Sequence, residues 1–320
     1  MVKKFLTHIR PRFIYSDAIK ISNTFGLGGI LTLLYVILII SGILLMFFYI
    51  PYPDYAYISM KRIINIIPYG KFLRNIHRLS GDLMIIFAFF HMLRVLLKKI
   101  FNNKYRIANW KIGVILFLLL FLFNFSGYLL PWDSVSYWGA TIVLNLINHI
   151  PFIGNKLRII LSGSKTIDSM TLMRFYTYHV VILPIIFTFL LMNHFYLIRK
   201  ANGVKVENKR EKVPVSKLYE REIIVLLIII TILSLLSFSF NFYPLLENAN
   251  SGAIPEILKA PWYFASIQFL LTYIPPIFAG IIIPLFYTFF LIYFYRINKI
   301  YIFFAINIVF TICTLIEILK

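Results

Sequence analysis

A single cysteine, Cys313, stands in the whole 320-residue chain. It has no partner for an internal disulfide, and it rules out an iron–sulfur cluster or a cysteine zinc site within this polypeptide. Acidic residues are scarce as well: 12 Asp and Glu face 32 Lys and Arg, for a net charge of +20. So basic a chain invites a nucleic-acid reading. The basic residues form no patch, however; they fall between long apolar runs, which makes them a topology signal instead, with no nucleic acid implied. Polarity in general is missing. The chain is 60% hydrophobic with a mean hydropathy of +0.84, far above a soluble domain and characteristic of polytopic membrane proteins. The opening MVKKFLTHIRPRF is basic but carries neither an apolar core nor a small-residue cleavage site, so the start is read as mature.

The apolar runs predict an all-α integral membrane protein of seven spans, A to G, at roughly 27–50, 76–98, 110–130, 171–198, 222–242, 275–295 and 300–318. Basic residues sort to one side. They occupy the N-terminus (Lys3, Lys4, Arg10, Arg12, Lys20), the B–C loop (Arg94, Lys98, Lys99, Lys104, Arg106, Lys111), the D–E loop (Arg199, Lys200, Lys205, Lys209, Arg210, Lys212, Lys217, Arg221) and the F–G turn (Arg296, Lys299). The positive-inside rule makes that side cytoplasmic, which puts the N-terminus inside and, after an odd number of spans, Lys320 outside. The A–B, C–D and E–F loops then face outward. The last two run to roughly 40 and 30 residues, and loops of that length usually carry function.

Four of the six histidines lie inside spans. His77 and His91 are 14 residues apart on B; His179 and His194 are 15 apart on D. Either interval is about four helical turns, so each pair shares a face with its members roughly 21–23 Å apart. A lone membrane histidine could simply hydrogen-bond a neighbouring helix. Four at matched spacing on two spans call for another reason, since polar groups in a membrane are costly and mostly functional. Both spans run inward, so His77 pairs with His179 at the outer depth and His91 with His194 at the inner. That geometry suits two non-covalent bis-histidine b-type haems; filling both axial iron positions favours electron transfer over chemistry at the metal.

Glycines repeat the same interval: Gly28 and Gly42 on A, Gly113 and Gly127 on C, each pair 14 apart. One such pair would fit ordinary small-residue helix packing; two pairs at the histidine period point to clearance for a macrocycle edge. Arg74, Arg78 and Arg174 lie near the outer ligands and Arg94 just beyond His91. Arginine pairs well with carboxylates, so these four are candidate propionate partners, with lipid headgroup contact as the plainer reading. Arg199 and Lys200 follow His194 at the cytoplasmic end of D. A cation there would stabilise negative charge developing on a bound substrate, or simply anchor the span. Asp17 is a weaker candidate proton donor on that side.

With those residues in place the chain resembles cytochrome b of the Rieske/cytochrome b quinol-oxidising complexes. RNIHRLSGDLMIIFAFFHMLRV, GYLLPWDSVSYWGATIV, IPFIGNKLRIILSGS and TLMRFYTYHVVILPIIFTFLLMNHFYLIRKANG carry the resemblance. HRLS, PWD, HFYLIRK and the 15-residue interval resemble the chloroplast branch, cytochrome b-six; the mitochondrial branch has 14. Residues 20–203 match strongly, and 222–320 more weakly resemble that branch's separate subunit four. This divides the chain into a dihaem part (1–203), a basic cytoplasmic linker (204–221) and a C-terminal part (222–320). The mitochondrial branch's eighth span has no counterpart here.

The resemblance implies an outer quinol-oxidation site built from PWDSVSYWGA, with Asp133, Tyr137 and Gly139, and from the E–F loop. It implies a quinone-reduction site near the inner haem, membership of a homodimeric complex, and as partners a Rieske iron–sulfur protein, a c-type cytochrome, the quinone pool and lipid; the expected location is a bacterial inner membrane. Two departures stand out. The family's PEWY motif reads Ala260-Pro261-Trp262-Tyr263, so Pro261 stands where the family has a glutamate proposed to take a quinol proton. Asp133, Glu247 and Glu256 are the outward-loop acids nearest in sequence, with no choice among them. The chloroplast cysteine that attaches an extra haem is Gly26 here, so no covalent haem is expected. A dihaem anchor feeding quinone-pool electrons to another oxidoreductase is the alternative. The PWD…YWGA and APWY segments argue against it, because a simple anchor needs no quinol loop, and the histidine quartet argues against a transporter or scaffold.

Overall fold

The computed structural model describes residues 13–204, 211–240, 243–249, 252, 254–255, 258–297 and 299–320. Lys3, Lys4, Arg10, Arg12, Lys205, Lys209, Arg210 and Glu256 lie outside the described residues. In chain order the helices are α1 (Leu27–Met46), α2 (Pro53–Asn65), α3 (Gly70–Leu97), α4 (Lys104–Leu129), α5 (Ser134–Asn148), α6 (Gly154–Ser162), α7 (Ser169–Lys200), α8 (Ser216–Ser239), α9 (Ala265–Leu271), α10 (Phe278–Ile297) and α11 (Ile300–Leu319). Seven of them, α1, α3, α4, α7, α8, α10 and α11, are long and apolar enough to cross a membrane. They correspond to spans A to G. In hydrocarbon each backbone N–H and C=O must be satisfied within its own segment, so apolar runs of this length become helices.

The helices outrun the apolar pattern at their polar ends. α3 and α4 each start six residues before spans B and C were expected, because their first turns carry Lys71, Arg74, Lys104 and Arg106, which hydropathy discounts but a helix tolerates. Asn103 caps α4 by accepting the Arg106 N–H at 3.0 Å. α1 packs along α3, α7 along α4, and α8 against α3, giving the four-helix bundle of the first four spans a flank of C-terminal helices. The buried Trp110 indole of α4 donates to Leu291 O of α10 at 2.8 Å. A short antiparallel pair, β1 (Phe13–Tyr15) and β2 (Lys212–Pro214), joins the N-terminal segment to the D–E loop, with Ile14 opposite Val213.

Span D is not a uniform α-helix. Tyr178–Ile182 forms a π-turn, with the Leu183 N–H bonded to Tyr178 O five residues back. Pro184 follows; it has no N–H, so a regular turn here would strand a carbonyl, and the wider turn is the local repair. α10 repeats the device at Phe278–Ile282, ahead of Pro284. A π-turn absorbs one extra residue. Fifteen residues on α7 therefore cover the same register as fourteen on α3.

Polar residues of α3 and α5 pin the E–F loop. Fully buried Asn75 donates to Ser237 O and Phe240 O, both at 3.1 Å, satisfying carbonyls at the end of α8 that have no helical partner. Arg74 donates to Tyr243 O at 2.6 Å. Farther along, Ser134 N–H donates to Glu247 O at 2.8 Å and Ala249 N–H to Trp132 O at 3.1 Å, around a bridge between Asp133 and Asn248.

Candidate functional site

The two histidine pairs meet at two depths. The rings of His77 and His179 have centroids 6.1 Å apart, those of His91 and His194 6.4 Å apart. Two metal–nitrogen bonds of about 2 Å, plus the step from each ring nitrogen to its centroid, span roughly 6 Å. Each pair therefore leaves room for one axially ligated iron. Among the described residues no three His, Cys, Asp or Glu side chains gather to hold a metal ion. A histidine pair offers two donors only, which suits a metal whose remaining positions are filled by a macrocycle.

Hydrogen bonding orients the outer rings. His77 Nδ1 lies 2.9 Å from Ser41 Oγ, and that hydroxyl donates onward to Ile37 O at 2.6 Å. His179 Nδ1 lies 3.1 Å from Ser126 Oγ, which donates to Phe123 O at 3.0 Å. With each hydroxyl proton already engaged, the network assigns the imidazole proton to Nδ1, leaving the Nε2 lone pair free for a metal. Among the described residues the inner rings have no such hydroxyl; His91 Nδ1 is buried without a partner, and His194 has the Asn109 backbone as its hydrogen-bonding neighbour.

Three of the four spaced glycines abut ligand rings. A Cβ on Gly127 would stand 2.6 Å from His179 Cε1, one on Gly42 3.1 Å from His77 Cε1, and one on Gly113 3.6 Å from His194 Cε1. Gly28 faces open space. Ring clearance is thus one use of these glycines, alongside the macrocycle clearance expected from sequence.

Arg74 and Arg78 line the outer cavity together with His77, His179, Gly42 and Gly127. Arg94, beyond His91, donates to Asn23 O at 2.5 Å and keeps a second nitrogen buried without a partner. Arg174 behaves differently. It donates to Ile159 O and Ile160 O near the end of α6 and does not line the cavity.

The segments expected at a quinol site reach this cavity in part: Asp133, Tyr137, Gly139, Pro261 and Trp262 do not line it. Tyr263 lines it, as do Tyr128 and Pro131 at the end of α4. Gly139 lets α5 approach closely; a Cβ there would touch the Tyr128 ring at 3.0 Å. Tyr137 stacks edge-on to Trp132 and donates to Ile167 O at 3.4 Å. Pro261 opens the turn that leads into α9, where Phe264 N–H bonds to Pro261 O at 2.8 Å. Of the outward-loop acids, Asp133 is buried and caps α5, accepting Ser136 N–H at 2.9 Å with Leu246 N–H on its other oxygen at 3.4 Å. Glu247 is exposed. Sequence reasoning missed Asp82 of α3, which lines the cavity and accepts a hydrogen bond from Tyr243. The available signal was an ionisable residue within an apolar span. On the inner side Arg199 is exposed, Lys200 lies 5.4 Å over the Tyr196 ring, and Asp17 pairs with Lys20 at 2.7 Å.

Comparison with known proteins agrees with this geometry. The family model described as "Cytochrome b/b6/petB" matches residues 14–202. Cytochrome b6 of Heliomicrobium gestii is 38% identical over 175 residues, 55% of this chain and 82% of that protein. Cytochrome b of Schizosaccharomyces pombe is 33% identical over 275 residues, 82% of this chain and 70% of that one. A solved chain titled "Hyperthermophilic respiratory Complex III" shares the fold, with a TM-score of 0.76 at 23% identity, covering 92% of this chain and 80% of its own. With its histidine pairs at two depths and a family match across the four-span bundle that holds them, this chain belongs to the cytochrome b/b6 family.

Proposed function

We propose that this chain is the dihaem cytochrome b subunit of a quinol:cytochrome c-type oxidoreductase, passing electrons from an outer quinol-oxidation site to an inner quinone-reduction site and contributing to proton translocation. One observation carries the reading: two facing imidazole pairs, at 6.1 and 6.4 Å, stand at two depths of one bundle. Two b-type haems held there would supply reversible one-electron transfer across the membrane. The chain's own residues do the positioning. Ser41 and Ser126 fix the outer rings, Arg74 and Arg78 bring positive charge to the outer cavity, and Arg94 does so beside the inner pair. The E–F loop, pinned to α3 and α5, closes over the outer site. A simple anchor has no use for such a loop, and this favours the quinol-oxidising reading over the alternative. On the same reading the N-terminus is cytoplasmic, the membrane is a bacterial inner membrane, and the partners are a Rieske iron–sulfur protein and a c-type cytochrome in a homodimeric complex.

Purification of the complex tests this directly. Two b-type haems per chain and a co-purifying Rieske protein are expected, and haem staining after denaturing electrophoresis should be blank, because Gly26 cannot form a thioether. A haem-free chain overturns the proposal; a haem-stained band overturns the non-covalent assignment.

The inner site yields a kinetic prediction. Arg199 follows His194 by five residues at the end of α7, where a cation would stabilise charge developing on a reduced quinone. Arg199→Leu should leave both haems bound and outer quinol oxidation unchanged, yet slow reoxidation of the inner haem by quinone about tenfold. Unchanged inner-haem kinetics in stopped-flow spectra would make Arg199 a topology anchor only.

A further inference from the structure

An aspartate in a membrane span costs free energy unless something uses it. Asp82 sits five residues after His77 on α3, about 140° round the helix, so it turns from the ligand face toward the E–F loop. It lines the same cavity as His77, His179 and Tyr263. Tyr243 of the E–F loop donates its hydroxyl to Asp82 Oδ2, and the Trp262 side chain is a second hydrogen-bonding neighbour. Arg78 lies one turn earlier on the same face, its guanidinium 4.4 Å from the Tyr243 ring and 5.7 Å from that of Tyr128. The carboxylate thus stands against the APWY turn, whose own second position is Pro261, a residue with no proton to give or take.

We propose that Asp82 is the carboxylate that accepts a proton from quinol at the outer site of this chain. The proposal rests on the reading of the Tyr128, Pro131 and Tyr263 side of the outer cavity, beside the histidine pair, as a quinol-oxidation site. In the step, one quinol hydroxyl loses its proton to an Asp82 oxygen as the O–H bond breaks and a new O–H bond forms on the carboxyl. The second hydroxyl proton leaves on the side of the iron–sulfur partner. Of the two electrons released, one reduces that partner's one-electron iron–sulfur centre and the other goes toward the outer histidine pair, leaving quinone. The surroundings suit the carboxylate. Burial, and after it the Asp82 charge, push the Tyr243 hydroxyl far above its ordinary range, so it remains a donor. Among the described residues the other charged or titratable groups around the carboxylate are Arg74, His77 and Arg78 on α3, Tyr128 on α4, Asp133 at the start of α5, His179 on α7 and Tyr263 on the E–F loop.

The test uses the intact complex with a short-tailed quinol, comparing wild type with Asp82→Asn, Asp82→Glu and Tyr243→Phe. Asp82→Asn keeps an oxygen for the Tyr243 hydroxyl, so a purely structural role would survive it. Its optical spectrum should retain both haems while quinol oxidation falls about 100-fold. The rising limb of the pH–rate profile should vanish, and the protonated-carboxyl band in infrared redox difference spectra should be lost. Asp82→Glu should restore the limb and much of the rate, and Tyr243→Phe should shift the limb without removing it. Quinol oxidation by Asp82→Asn within twofold of wild type, with the pH profile unchanged, overturns the assignment and leaves the site reading intact. A wild-type complex whose outer haem is not reduced by quinol overturns the site reading, and the assignment with it.

Discussion

His77→Ala and His179→Ala are expected to lose the same haem, and His91→Ala and His194→Ala the other. The rings face each other across the bundle in those two pairs, and an iron deprived of one axial imidazole loses half of its protein attachment. Each single variant should therefore drop from two haems to about one per chain, with the surviving component unchanged in its optical band. Transmembrane electron transfer should fall below detection in all four, since either depth alone leaves roughly a 20 Å gap along the axis. Redox-resolved spectra of the purified complexes read this out. The pairing is wrong if His77→Ala and His91→Ala remove the same component.

The glycines give the second large effect, and they grade it. At Gly127 a new Cβ would lie 2.6 Å from His179 Cε1 and 3.2 Å from both ring nitrogens, inside any real contact distance. A ring pushed away from α4 would also lose its 3.1 Å hydrogen bond between Nδ1 and Ser126 Oγ, on the same helix. Gly127→Ala should displace the imidazole and cost the outer haem, with the inner haem retained. Gly42→Ala, at 3.1 Å from His77, should weaken outer-haem retention without abolishing it. Gly113→Ala, at 3.6 Å from His194, is an ordinary contact and should leave both haems in place. Haem content of the three variants checks the order; equal loss in all three would mean that the glycines serve helix packing rather than the rings.

Much of this was legible in the sequence because a membrane restricts the choices. Seven apolar runs became seven long helices, and four histidines at four-turn spacing could meet in only a few ways. What the sequence hid depends on packing between distant segments. Asp133 was read beside the quinol motif because of its neighbours in the chain, but the residues after it, Ser134 to Ser136, begin a helix that it caps. Asp82 lies roughly 160 residues before Tyr243 and meets it only because Asn75 and Arg74 hold the end of α8 and the start of the E–F loop against α3. Arg174 looked like a propionate partner from its distance to His179 along the chain; its guanidinium turns instead to backbone carbonyls of α6, a helix that hydropathy did not forecast. The outer loops were recognised as long and ordered, but their helices α5 and α6 have only 15 and 9 residues, too short to leave an apolar run of membrane-spanning length.

The one-residue difference between the ligand intervals of α3 and α7 works like two rulers with unlike graduations that still agree at both ends. In a regular helix an added residue would swing one ring about 100° out of line with its partner. Here the slack is taken up in Tyr178–Ile182, and that turn contains His179 itself. Below Pro184 the helix is regular down to His194 and transmits any shift rigidly. Mechanical give is therefore confined to the outer end of α7. The outer ring can be re-aimed, by a neighbouring loop or by a substitution near Pro184, without disturbing the inner one, so on the proposed two-haem reading each centre can be tuned by itself.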